Sequence, residues 1–531
     1  MPLSSPRVHP SRRWLLPAAL AAVVLLLLLV SGPLAGAGGR RVIPAEGGTL
    51  VERGRSTVER VNPLLAVTPA EHDLAALVFA GLTRTGPAGE PVPDLAEEWA
   101  ASPDGRVFVF RLRRDLSWHD GAPLTADDAL FTIGLIQAGA AADPRLVEVW
   151  RLASLTKLDE RTIQVTLPAP FAPLPAYATF GLLPVHLLRD LAPTVLGTAP
   201  FNRRPVGAGP FRLVDLTPER ARLVRFDRYH LGAPYLDGVE LRFDGAGENA
   251  DAGVLEGSAG ADGRVAYPLV AGQYAAVLLN NDSPLFAADT VRRALAAAVD
   301  RPALVRALLG GAGVATDVPF GPGSWAHDGL PPPRQDLETA RALLAAAGWT
   351  AGTDGILRRG PRELRFTLLA VDEPAWLALA HALADAWGQI GVRVVVAPAS
   401  EAVLRREFLD RRQYEAALVG WDPGPDPDPF SAWHSSLRGI PGANPANFAD
   451  ERSDQLLLEG RVNADLAARL DAYTQFQARF RELAPSIVLF SKVVRYAVRA
   501  NVHLSLPSAV PDPSARFSDV RRWYTATRAG R

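Results

Sequence analysis

The residues best able to do chemistry crowd into one loop. Asp422-Pro423-Gly424-Pro425-Asp426-Pro427-Asp428-Pro429 sets three carboxylates within seven residues, shortly after the strand pattern of Glu415–Val419. Carboxylates at such density could bind calcium. The spacing, however, lacks the EF-hand order of ligands and its closing glutamate, and the alternating prolines stiffen the loop. Trp421 and Trp433 flank it. Their rings could supply contact area in a ligand pocket, or simply pack in a core.

A second candidate is His119-Asp120-Gly121. Neighbours on an extended chain point to opposite faces, so His119 and Asp120 do not readily share one catalytic site. Asp-Gly is a turn signal, and a structural turn is expected. The chain has no H-E-x-x-H, no G-x-S-x-G and no P-loop with its lysine. Gly310-Gly311-Ala312-Gly313 follows a helix pattern and lacks a following Lys-Ser/Thr, so it does not cradle phosphate. The nine histidines include no close pair at ligand spacing, and there is no cysteine. Thiol catalysis, disulfides, iron–sulfur clusters and cysteine–zinc sites are thereby excluded. Neither an enzyme nor a cofactor or metal site is expected.

The elements that must position these groups alternate between two periods. Gly48–Arg53, Val107–Leu112 and Arg161–Leu167 read as strands, and Pro69–Gly81 as a helix with Leu74, Leu77 and Val78 on one stripe. Thr125 is an N-cap, with Asp128 three residues on. Further along, Asp289–Leu309, Asp336–Ala347, Pro374–Ile390, Glu401–Asp410 and Asp465–Leu483 read as helices. Leu364–Leu369, Val392–Val396, Glu415–Val419, Ser486–Phe490 and Arg495–Arg499 read as strands. Strand–helix alternation of this kind predicts an α/β fold.

At 531 residues the chain is too long for one ordinary core, and two to four units are expected. Its 56 basic and 57 acidic residues give a net charge of −1, which offers nothing to attract nucleic acid. Arg7, Arg12 and Arg13 precede an apolar run, Trp14–Val30, that Ser31–Leu34 can extend. As a helix the run spans about 25 Å, close to a hydrocarbon core of about 30 Å. Two readings stand: an uncleaved transmembrane anchor, or a secretory signal cleaved after Ala35-Gly36-Ala37. Both make residues 1–40 a signal or anchor segment and place the remainder outside the cytoplasm. A lipid on an N-terminal cysteine is excluded.

Several stretches, in one order, resemble the family 5 bacterial extracellular solute-binding proteins, the oligopeptide, dipeptide and nickel binders of ABC importers. The most specific block is Pro93-Asp94-Leu95-Ala96-Glu97-Glu98-Trp99, Asp104-Gly105 and Phe110-Arg111-Leu112-Arg113, then Trp118-His119-Asp120-Gly121 and Leu124-Thr125-Ala126-Asp127-Asp128. Pro205-Val206-Gly207-Ala208-Gly209-Pro210-Phe211 resembles the family's PVGTGPF turn, with Ala208 in place of threonine. Val291–Leu295 with Asp300-Arg301, and Tyr414–Trp421, continue the series.

The resemblance implies a two-lobed, class II periplasmic-binding-protein-like fold of the large peptide-binder subtype. One discontinuous lobe would comprise residues 45–275 and 485–531, and the other residues 276–484. A peptide or similar small solute would be captured between them by hinge closure and delivered to membrane permease subunits, with the protein itself a monomer. In peptide-binding relatives an acidic residue of the loop after Trp421 pairs with the ligand's amino group. That position is Gly424 here, so Asp422 or Asp426 would substitute. Arg53 and Ser56, in a loop that faces the cleft in relatives, are the further candidates, beside Trp421 and Trp433. Gly245–Val270 departs from the family by being short and rich in Gly and Ala, and weak order is expected there. The alternative reading is a membrane-tethered sensory or interaction module on the same scaffold, without a transport role.

Overall fold

Local capping decides where the helices begin. In the computed structural model, which describes residues 42–243, 250–255 and 263–529, Thr68 and Glu71 form a reciprocal capping box at the start of helix Pro69–Val78. The Glu71 carboxylate accepts from the amides of Val67, Thr68, Glu59 and Arg60. Burial works to raise this carboxyl, but the four amides outweigh it and hold it below the usual range. Thr125 and Asp128 repeat the device at helix Ala126–Gln137.

The expected helix over Asp289–Leu309 is instead two helices, Asp289–Ala297 and Arg301–Leu309. Asp300 leaves helical geometry, and its carboxylate accepts from the Ala303 amide at 2.9 Å. Pro302, in the first turn of the second helix, lacks the N–H that a continuous helix requires. The two strands expected over Ser486–Phe490 and Arg495–Arg499 are one strand, Ser486–Val498.

The principal sheet has twelve strands among the described residues. Its two longest, Val265–Leu279 and Ser486–Val498, run antiparallel, with a register shift between Val270 and Tyr274. On one side of this pair Ala416–Trp421 joins Val265–Leu279, with Tyr274 opposite Trp421. Arg365–Val371 and Arg393–Ala399 follow in parallel, connected through helix Pro374–Gly388. On the other side come Ala252–Leu255, Thr49–Arg53, Gly238–Arg242, Arg220–Arg225 and Phe211–Leu216. A separate four-stranded sheet carries Ala96–Ala101, Val107–Leu112, Thr162–Thr166 and Ser154–Asp159.

Side chains alternate across these strands with period two, and the core divides accordingly. One cluster gathers buried residues from Leu50 to Leu269 with Tyr496, Val498 and the C-terminal Phe517, Val520 and Trp523. Past the register shift, Ala275, Val277 and Leu279 face a second cluster with Phe366 and Trp387. Tyr274, Ala276 and Leu278 face a third with Trp433, Tyr473 and Phe480.

Residues 42–45 and 526–529 belong to a small separate unit, in which Val42–Pro44 pairs antiparallel with Thr527–Ala529. In the Gly245–Val270 section, Ala252–Leu255 and the start of Val265–Leu279 are strands paired to Ser486–Val498. Residues 245–249 and 256–262 lie outside the described residues, as does the N-terminal signal or anchor segment. Among the described residues, no helix is long and apolar enough to cross a membrane.

Candidate functional site

Strand Ala416–Trp421 ends by delivering the proline-rich loop between the first core cluster and the other two. Two neighbouring cavities open there, of about 390 Å³ and about 190 Å³. They share Arg145 and Asp422. Helix Pro144–Trp150 positions Arg145 at its start, where the Asp143 side chain caps the backbone amide of Arg145. The guanidinium then turns back on Asp143, with Nη2 at 3.0 Å, while Nη1 reaches Asp422 at 3.0 Å. Partial burial works to lower the Arg145 pKa, but the two carboxylates outweigh it and raise it. Arg145 and Asp422 thus pair on the wall that the two cavities share.

The smaller cavity is aromatic. Trp421, half-buried at the strand end, and its register partner Tyr274 line it with Phe171 and Tyr177. Phe171 and Tyr177 lie with their ring centroids 5.5 Å apart. Asp428 borders the same space and pairs with Arg461 at 2.8 Å. Arg461 is bracketed by the rings of Phe171, at 4.9 Å, and Phe430, at 4.5 Å. Burial pushes the Asp428 carboxyl up, against Arg461. Burial also raises the Tyr177 phenol, reinforced by Asp426 and Asp428, so Tyr177 stays protonated and can donate a hydrogen bond.

The expected ligand residues are not all brought together. Trp421 and Asp422 line cavities, and Trp433 contributes to the wall of the smaller one. Trp433 is nonetheless mostly core, 2% exposed, with its ring edge-on to Phe480 at 4.9 Å. Asp426 lines neither cavity. It is 1% exposed and holds Arg469 through two hydrogen bonds, of 2.6 and 3.0 Å.

Arg53 and Ser56 also line neither cavity. Arg53 ends an inner strand of the sheet, exposed, in register with Arg242 on one side and Gly253 on the other. The Ser56 hydroxyl accepts from the Ala70 amide at 3.1 Å and so supports the start of helix Pro69–Val78. Sequence reasoning did not single out Arg145, Tyr177 or Phe171. The Asp-Pro start of a helix at Asp143-Pro144 was the one local signal near Arg145.

His119 and Asp120 serve separate partners. The His119 Nδ1 accepts from the Gly207 amide at 3.2 Å, while Nε2 lies 3.0 Å from the Gly209 carbonyl. The imidazole thus clamps the glycine turn against helix Pro69–Val78. A Cβ at Gly207 would lie 1.9 Å from the Val78 carbonyl oxygen, which is why glycine stands there. Asp120 instead meets His186 at 2.8 Å.

Burial lowers the His119 pKa to about 4, from an ordinary 6.5. The native state therefore holds neutral imidazole, whereas the unfolded chain takes up a proton. This contribution to stability is full above pH 6.5 and falls as pH drops toward 4, by about 1.4 kcal/mol per pH unit. Urea unfolding at pH 7 and pH 5 should show His119→Asn with a shallower acid slope than wild type. Equal slopes would refute the assignment.

The fold is the mixed α/β fold of the periplasmic peptide-binding protein structures. The structure of HbpA2 from Haemophilus parasuis covers 86% of this chain and 96% of its own, with a TM-score of 0.74 and 21% identity. The AppA structure from Bacillus subtilis, in complex with a nonapeptide, covers 91% of this chain and 100% of its own, with a TM-score of 0.64 and 23% identity. In sequence, the oligopeptide-binding protein AppA of Bacillus subtilis (strain 168) is 24% identical over 514 residues, or 91% of this chain and 92% of AppA. The family model for bacterial extracellular solute-binding proteins, family 5, matches residues 90–441, and the chain belongs to that family.

Proposed function

We propose that this protein is the extracytoplasmic capture component of an ABC-type importer, holding a peptide or similar small solute between two lobes. One lobe is built on the core that runs from Leu50 to Leu269 and returns at Tyr496–Trp523. The other is built on the two clusters between Tyr274 and Phe490. The observation that carries this reading is the Arg145–Asp422 pair, which joins a helix packed on the first core to a loop leaving the second. Clefts at such junctions are where small ligands are commonly held, and hinge closure is the motion they support. The closed, solute-bound form is then the one that docks on the permease, and the solute shifts the population toward it.

The chain supplies binding and orientation. Trp421 and Tyr274 offer ring faces, Tyr177 a hydrogen-bond donor, and Arg145 and Asp422 a polar bridge. Titration calorimetry with a peptide library, paired with small-angle scattering, tests the proposal. A binding peptide should reduce the radius of gyration, and Trp421→Ala should weaken binding by about 2 kcal/mol while the chain stays folded, its midpoint lowered only by the packing Trp421 gives up. Absence of both binding and compaction with every peptide would count against peptides as the solute.

A further inference from the structure

On the reading just given, the charge arrangement of the larger cavity narrows the class of solute. Its acids are already engaged by the protein. Asp143 and Asp422 share Arg145. Asp94, 4% exposed, meets His230 at 2.6 Å. The Asp512 carboxylate accepts from the Ser514 amide at 2.8 Å, capping the helix that follows.

The cations are less evenly used. Arg521 leans on Asp519 at 3.4 Å. Arg84, on strand Thr83–Thr85, has no carboxylate within 4.0 Å among the described residues. Its Nη1 has the Ser518 carbonyl at 3.4 Å, and its Nε is buried without an acceptor. A guanidinium offers five donors in a planar fork matched to a carboxylate. Arg84 leaves most of that capacity unspent on the wall of a cavity.

We propose that Arg84 receives the carboxylate of the bound solute, and that the site does not select for a free ammonium because Arg145 already neutralises Asp422. The glycine at position 424 bears on the second half. A Cβ at Gly424 would lie 3.3 Å from the Tyr177 hydroxyl and 3.4 Å from Arg145 Nη1, at a φ of +86°. The guanidinium of Arg145 thus stands where a longer residue at 424 would project, and the protein's own cation fills the place open to a ligand amine. The preferred solute is a peptide-like acid whose amino end is blocked or absent.

The test uses the full chain and matched tripeptides, each prepared as the N-acetylated free acid and as the free-amine C-terminal amide. Calorimetry should show the acids binding more tightly. Arg84→Gln should weaken the acids at least about tenfold and leave the amides within error, since a charge-assisted pair is lost only for the former. Arg84→Lys should recover part of the loss, and unchanged thermal melts would show that the variants fold. Amides binding as tightly as acids, or acids indifferent to Arg84→Gln, would overturn the proposal while leaving solute capture intact. No binding by either member of any pair would sink peptide capture itself, and this inference with it.

Discussion

Replacing Arg516 with methionine should cost about 3–5 kcal/mol of stability, the penalty for stranding buried charge. Arg516 is fully buried, and its guanidinium ties together the two ends of the first core. Nη1 donates to Asp73 Oδ1 at 2.7 Å, and Nη2 to Asp73 Oδ2 at 2.9 Å. Nη2 also donates to Glu52, whose other oxygen accepts from the Tyr496 hydroxyl at 2.9 Å. The ring of Phe517 covers the guanidinium at 4.0 Å. Four elements meet here: strand Thr49–Arg53, helix Pro69–Val78, strand Ser486–Val498 and the helical segment Pro513–Arg522.

Burial already pushes the Glu52 carboxyl up, and Asp73 adds to it, with Arg516 as the main opposing influence. Without Arg516 two carboxylates remain in a dry interior. Arg55, at 3.6 Å from Asp73, relieves only one of them. Guanidinium unfolding followed by tryptophan fluorescence measures the effect, and a loss below about 1 kcal/mol would show that the cluster is not buried as described. Replacing Glu52, Asp73 and Arg516 together with apolar residues should recover most of the loss, because the three fully buried ions are then gone and only the partly exposed Arg55 loses a partner.

That cluster also marks where sequence reading reaches its limit. The capped start at Thr125 was legible because cap and partner lie within three residues; the helices after Thr68 and Asp336 were read from their periodicity, and the structure adds their caps. The period-two strands on either side of the sheet were legible for a similar local reason. The break at Asp300 was masked by an alanine-rich amphipathic pattern running through it, although Pro302 carried the signal. Arg516 has its carboxylate partners more than 440 positions away, and no local pattern can anticipate them.

The site divides the same way. Its loop stood out through its aspartates and prolines, and Trp421 and Asp422 do line the cavities. Which aspartate is spent inside and which faces the cavity depends on Arg469 and Arg145, at separations of 43 and 277 residues. Arg53 and Ser56 stood out only through the family pattern, yet Arg53 ends an inner strand of the sheet and the Ser56 hydroxyl supports a helix start.

The two loop aspartates should therefore separate stability from affinity. Asp426→Asn should destabilise by about 3–5 kcal/mol, because it leaves the Arg469 cation buried with neutral partners only. Arg469 is 2% exposed, with Nε on the Gly460 carbonyl at 2.9 Å and Nη2 on the Tyr473 hydroxyl at 3.0 Å. The ring of Trp325 lies 4.9 Å from it. Burial works to lower the Arg469 pKa, but Asp426 outweighs it. The pair fastens the loop to helix Leu466–Leu483 and fixes the direction in which Asp422 and Trp421 emerge.

Asp422→Asn removes a pair whose members are both about two-fifths exposed. Solvent screening should keep its stability cost below about 1 kcal/mol. Its effect should appear in solute affinity instead, because it releases the Nη1 arm of Arg145 within the cavity while Asp143 keeps the rest. Unfolding midpoints and calorimetric affinities measured on both variants decide the matter. If Asp426→Asn left the midpoint unchanged and weakened binding alone, Asp426 would be a ligand contact rather than the anchor of its loop. If it lowers the midpoint while Asp422→Asn shifts affinity, the loop has one acid that holds it and another that, through Arg145, sets the charge of the cavity the solute enters.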